Sequence, residues 1–151
     1  MMLVHLVVAQ VLAAQVTVTC GASSATCGTN LANAYSSASN NDELVLDDGT
    51  YTSTGVAILL INRAIHITIS AQNTGQVIFD GEDTRRGIEI GNSAQLKTII
   101  FNGLKITKGK DGDHDYSGGA SGSGGGVYIS SSFRGDLTFN DCEFYDNEAR
   151  N

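Results

Sequence analysis

The stretch "KDGDHDY" (Lys110–Tyr116) sets Asp111, Asp113 and Asp115 at alternate positions. Carboxylates in this pattern are hard oxygen ligands of the kind Ca²⁺ takes. A helix-flanked calcium loop needs glycine at its sixth position and glutamate at its twelfth; Tyr116 and Gly122 stand there instead. A solvated acidic loop is the favoured reading. Asp111, Asp113 and Asp115 remain the one candidate metal site, with Ca²⁺ its ion, and no other cofactor is expected. A second charged cluster, "FDGEDTRRG" (Phe79–Gly87), crowds Asp80, Glu82, Asp83, Arg85 and Arg86 into one turn. Exposed ion pairs are common and worth little, so a solvated, salt-bridged turn is expected there. His66 falls on the outward side of an alternating run and reads as a surface residue. No Ser–His–Asp set and no phosphate-binding loop stands out, so no catalytic residue is assigned.

The cysteines bear on the compartment. Cys20 and Cys27, in "TCGASSATCG", are close enough to form a small disulfide in an oxidising environment. A zinc site would need further ligands, and no histidine lies nearby. Cys142 reads as an apolar filler. The opening "MMLVHLVVAQVLAAQ" has the apolar run and small residues of a secretory signal, assigned to residues 1–14. It is short of the roughly 20 apolar residues that span a bilayer, and a buried first strand is the bland alternative. The mature chain, from residue 15, is expected to carry no membrane-spanning segment. A net charge of −7 without a basic stripe argues against nucleic acid as a partner.

The elements that would position these residues are mostly short strands. The chain has 151 residues, enough for one core, with 18 glycines and no proline. Thr29 reads as the N-cap of a helix from Asn30 to Ser39, with Leu31, Ala34, Tyr35 and Ala38 on one face. From residue 57 onward short apolar runs follow, and many alternate with polar residues at period two, as in Ile65–Ile69 and Ile88–Ile90. They group in threes: Ile58–Leu60, Ile65–Ile69, Val77–Phe79; then Ile88–Ile90, Ile99–Phe101, Leu104–Ile106; then Val127–Ile129, Leu137–Phe139, Cys142–Phe144. Two of the runs, "IIFNGLKITKG" and "LTFNDCEFYDN", align at a spacing of 38 residues. Phe101 then falls on Phe139, Asn102 on Asn140 and Ile106 on Phe144. Stacked like strands would bury the aromatic column, and the two asparagine amides would bond to one another at a left-handed bend. The expected fold is therefore all-β: a parallel solenoid of about three coils with an N-terminal capping helix. The stretch from Lys108 to Gly125 is expected to be a mobile corner loop.

This pattern resembles the right-handed parallel β-helix, or pectin-lyase-like, superfamily over most of the chain from about residue 28. "GGGVYI" (Gly124–Ile129) and "FYDN" (Phe144–Asn147) are similar to the repeats of polymorphic outer-membrane-protein-type members. The resemblance implies a right-handed coil and an exported surface protein. Enzymes of the superfamily cleave acidic polysaccharides on the outer face of the first sheet, with clustered carboxylates and an Arg or Lys. On that face the register puts Leu59, Glu89 and Tyr128, one carboxylate with no basic partner. Glu89 and Tyr128 are kept as candidate glycan-binding residues.

The resulting expectation is a secreted or cell-surface structural or adhesive protein that binds polysaccharide or another surface protein. Residues 15–151 are read as the N-terminal part of a longer domain, prone to stack end to end. The alternative is a fragment of a polysaccharide lyase or glycoside hydrolase. Further Asp/Glu pairs with an Arg or Lys in a continuation would favour the enzyme, and further Gly-Gly repeats the adhesin.

Overall fold

The computed structural model describes residues 13–94, 96–111 and 124–149. Strand β1 (Gln15–Val18) is followed by helix α1 (Ser24–Ser37) and strands β2 (Glu43–Leu46), β3 (Gly49–Tyr51), β4 (Ala57–Ile61), β5 (Ile67–Ala71) and β6 (Val77–Asp80). The rest are β7 (Arg86–Ile90), β8 (Thr98–Asn102), β9 (Leu104–Thr107), β10 (Val127–Ile129), β11 (Asp136–Asn140) and β12 (Glu143–Tyr145). These strands form a five-stranded sheet ordered β1-β2-β5-β8-β11, a three-stranded sheet β10-β7-β4 and a four-stranded sheet β12-β9-β6-β3. Every pairing is parallel.

The expectation of an all-β solenoid of about three coils is overturned: the chain is α/β, with three all-parallel sheets and one α-helix among the described residues. The reason lies at the N-terminal end. Parallel neighbours cannot be joined by a tight turn; β1 and β2 pair from Gln15↔Glu43 to Val18↔Leu46, and the crossover between them is α1. The helix is part of the core, since Cys27, Leu31 and Tyr35 are buried in the same cluster as the strand side chains. It also starts earlier than its periodicity indicates. Ser23 is the N-cap, its Oγ accepting the Thr26 N–H at 3.2 Å, while Thr29 lies inside the helix and donates to the Ala25 carbonyl. The Cys20–Cys27 disulfide ties the first turn to the end of β1.

The core is a set of side-chain columns running across the strands. Ile69, Phe101 and Phe139 are in register in the five-stranded sheet, and the two phenyl rings stack at 5.1 Å and 10°. Val77 pairs with Leu104, and Phe79 with Ile106, which pairs in turn with Phe144. Tyr51 is fully buried beside Phe79, and burial with Asp47 and Asp48 pushes its phenol up to about 12. At the β10–β11–β12 end the columns open, with Phe144 44% and Ile129 47% exposed.

The asparagine pair is the upper part of a longer polar column. Asn140 donates to Asn102, Asn102 to Ser70 and Ser70 to Glu43, at 2.8, 2.9 and 2.7 Å, and Gln15 donates to the other Glu43 oxygen. The left-handed backbone expected at the asparagines belongs instead to the residues after them, Gly103 and Asp141, with φ of 72° and 51°. Cys142 is half-buried rather than buried, and its thiol donates to the Asn140 carbonyl at 3.4 Å. Burial raises its pKa, which leaves it a poor nucleophile.

Asp42 makes the turn into β2. Its carboxylate accepts the N–H groups of Ala14 at 2.9 Å and Ser39 at 2.7 Å. These bonds, Ala14 first, hold the carboxyl below its ordinary range against the opposing effect of burial. A depressed folded pKa stabilises fully above the unfolded value of about 3.9 and is lost as pH falls through the folded one. Asp42→Asn should therefore lower stability at neutral pH by about 1–2 kcal/mol. Urea midpoints of the two chains should converge on acidification below about pH 4. Parallel curves would show that the acid sensitivity arises elsewhere.

Candidate functional site

The outer face of the three-stranded sheet carries the residues that sequence singled out, with a shift. Leu60, Glu89 and Tyr128 are in register across β4, β7 and β10. The expected member Leu59 points the other way, pairs with Ile88 and is buried. The run "AILLI" is apolar at every position, so it offers no alternation from which to set its face.

Sequence reading missed the residue that organises this face, Arg86. It begins β7 and is followed by Gly87, where the ladder is irregular: the Gly87 and Ile88 amides both donate toward the β10 side, to Gly125 and Gly126 carbonyls at 2.9 Å. Two consecutive amides facing one neighbour are a bulge, and a bulge re-aims a side chain. A side chain at residue 87 has no room, because its Cβ would lie 2.4 Å from Ile106 Cγ2 and 2.6 Å from the Gly126 oxygen. The Arg86 guanidinium lies over the Tyr128 ring, 4.3 Å from its centroid. Its Nη1 donates to Glu89 Oε2 at 3.0 Å and its Nη2 to Asp111 Oδ1 at 2.5 Å.

The side chains of Arg86, Glu89 and Asp111 are only 11%, 16% and 6% exposed, so Arg86 is not part of a solvated turn. Such a pair is weak evidence of net stability, but removing one member leaves an uncompensated charge. Among the described residues the buried Arg86 Nε has no hydrogen-bond partner. Two carboxylates stand against one guanidinium among the described residues, and these three side chains sum to a formal charge of −1. The rest of the charged turn is salt-bridged as expected, but only partly solvated: Arg85, largely buried, pairs with the half-exposed Glu82, and the half-exposed Lys108 with the largely buried Asp80.

Of the calcium candidates, Asp111 is engaged by Arg86, and a cation at that carboxylate would sit beside a guanidinium. Asp113 and Asp115 lie outside the described residues, as do residues 1–12 of the expected signal and most of the expected loop from Lys108 to Gly125. Among the described residues no group of three His, Cys, Asp or Glu side chains could hold a metal ion.

The two repeat motifs meet in one corner. Asn147 accepts the Gly109 N–H at 2.8 Å and donates to the Ile106 carbonyl at 2.9 Å, while its Cγ lies 3.0 Å from where a Cβ on Gly126 would be. Asn147 and Gly126 thus serve the turn. His66 has a structural task as well, since its Nδ1 accepts the Thr98 N–H at 3.0 Å where β8 begins. No helix among the described residues is long and apolar enough to cross a membrane. No family model, curated protein or solved structure matches this chain.

Proposed function

We propose that this chain is a secreted or cell-surface structural and adhesive protein that binds glycan on the outer face of its three-stranded sheet. The observation that carries this reading is the Leu60–Glu89–Tyr128 column with Arg86 locked across it. An aromatic ring offers an apolar face to the C–H surface of a sugar, and a carboxylate beside it accepts hydroxyl hydrogen bonds. Because Arg86 is matched by two carboxylates, the face favours a glycan without acidic groups. The Cys20–Cys27 disulfide supports an oxidising compartment, and the likeness of "GGGVYI" and "FYDN" to repeats of exported surface proteins points the same way.

The purified chain should be retained on an immobilised neutral polysaccharide. Tyr128→Ala should weaken retention about tenfold, the loss of one aromatic contact. Equal retention of native and variant chains would remove the face from consideration, and retention on no polysaccharide would remove the glycan reading.

A polysaccharide lyase or hydrolase is the second reading, favoured by the guanidinium that stands beside two carboxylates. Against it, both carboxylates are tied to that guanidinium, whereas general acid–base work needs a group free to exchange its proton. Release of unsaturated or reducing ends from polygalacturonate would establish the enzyme, and none is expected.

A further inference from the structure

Residues 13–41 contain no charged side chain, although 17% of the chain is charged. They build one end of the molecule, β1 and α1. The Ser24 carbonyl of α1 accepts the Thr52 N–H beyond β3, and Tyr35 Oη accepts the Asn62 and Arg63 amides beyond β4. The helix thus stands one layer past β3 and β4, as β1 stands past β2. Its outward residues Thr26, Thr29, Asn33 and Ser36 are exposed. The Thr29 and Ser36 hydroxyls donate back to helix carbonyls at 2.9 and 2.8 Å, and Thr26 Oγ1 meets Ser23 Oγ at 2.9 Å. The solvent face of a surface helix ordinarily carries charge. Loss of charged residues is what sets the core of an interface apart.

At the opposite end β10, β11 and β12 are the last strands of their sheets. The Asp136 N–H donates to the Lys97 carbonyl and the Asn140 carbonyl accepts the Gly103 N–H, both at 2.9 Å, so these groups face β8. Alternation then turns the N–H and C=O of Leu137 and Phe139, two residues apart, to the open edge. In β1 the Ala14 and Val18 carbonyls accept the Glu43 and Asp47 amides, which leaves Gln15 and Thr17 facing the open edge there. Each end therefore presents donors and acceptors at strand spacing, a template for another strand. Beside the β11 edge, Ile129 and Phe144 top their columns half-exposed.

We propose that these two ends fit each other: the β10–β11–β12 end is covered by the β1–α1 end of a second copy of this chain. Every strand pair within the chain is parallel, so a copy shifted along the stack sets its β1 on β11 in the same sense. Val16 and Val18, which pair with Leu44 and Leu46 on one side, then meet Leu137 and Phe139 on the other. The same shift places α1 over Ile129 and Phe144. Charge selects this polarity. Asp136, Asp141, Glu143 and Asp146 stand exposed around the β11–β12 end, against Arg134. Two such ends repel each other, whereas the β1–α1 end brings no carboxylate to them. The contact joins different surfaces of the two copies, and repeated along one direction it builds a filament.

Sedimentation of the purified chain between about 1 µM and 1 mM is the test. The weight-average mass should rise with concentration past that of a dimer. Thr29→Glu blocks one end and Ile129→Glu the other, so each variant should stay monomeric with unchanged circular dichroism. An equimolar mixture of the two should form a dimer and stop there, because only one intact joint can form between them. Thr17→Pro, which removes only an N–H facing the open edge, serves in place of Thr29→Glu if that variant misfolds. Phe144→Glu serves likewise in place of Ile129→Glu. A chain monomeric throughout the range, or a mixture that stays monomeric, would overturn the proposal. So would a Thr29→Glu chain that still dimerises, since two β10–β11–β12 ends would then be paired. An Ile129→Glu chain that still dimerises would place the contact between two β1–α1 ends and overturn it equally.

Discussion

Replacing Phe101 by alanine should lower the unfolding free energy by about 3–5 kcal/mol, the range for a fully buried aromatic. Phe101 has no exposed surface, lies between Ile69 and Phe139 in its column, and stacks on the Phe139 ring at 5.1 Å. The strands on either side are held by ladder bonds about 4.8 Å apart, so the walls of the resulting cavity cannot close together. The same substitution at Phe144, which is 44% exposed in the column of Phe79 and Ile106, should have a much smaller effect. Lys105→Ala should cost less than about 1 kcal/mol, because it removes only a partly exposed pair with Glu143 at 3.4 Å. Urea unfolding followed by circular dichroism ranks the three variants. Similar midpoints for Phe101→Ala and Phe144→Ala would mean that the columns are not arranged as described.

How much of this was readable beforehand depended on whether a segment alternates. "IIFNGLKIT" and "LTFNDCEFY" alternate, and they stack with Phe101 on Phe139 and Asn102 on Asn140 as their alignment implies. "AILLI" does not alternate, and its outward residue was misplaced by one position. The start of α1 was hidden because Ser23, Ser24 and Gly28 have loop composition. Tertiary contact overrides that propensity, since the disulfide and the buried Cys27 hold the first turn in place. With the helix start and β1 unread, the β1–α1–β2 crossover was unread too, and with it the α/β class. At the candidate site, Glu89 and Tyr128 were accessible through period two alone. Arg86 was not: its partners lie 3, 25 and 42 residues away, and a bulge at Gly87 redirects it. No local pattern encodes that convergence.

Gly28→Ala separates propensity from packing most sharply. Gly28 lies inside α1, where alanine in place of glycine is ordinarily worth about 1 kcal/mol of added helix stability. Here the Cβ would fall 1.7 Å from the Thr52 carbonyl oxygen, well inside contact distance and against backbone rather than a movable side chain. The helix cannot move away without loss, because the Thr52 N–H donates to the Ser24 carbonyl at 3.1 Å and the two hydroxyls meet at 3.3 Å. Overpacking of a tight contact costs about 1–3 kcal/mol and sometimes more. The upper end applies, and the net effect should be destabilisation by about 2 kcal/mol despite the gain in propensity. Ser36→Ala, on the exposed face of the same helix, gains propensity without a clash and should leave stability within about 0.5 kcal/mol. A Gly28→Ala chain that unfolds at the same or a higher urea concentration than the native one would show that α1 does not rest on Thr52. The integral helix, and the α/β assignment that depends on it, would then have to be abandoned.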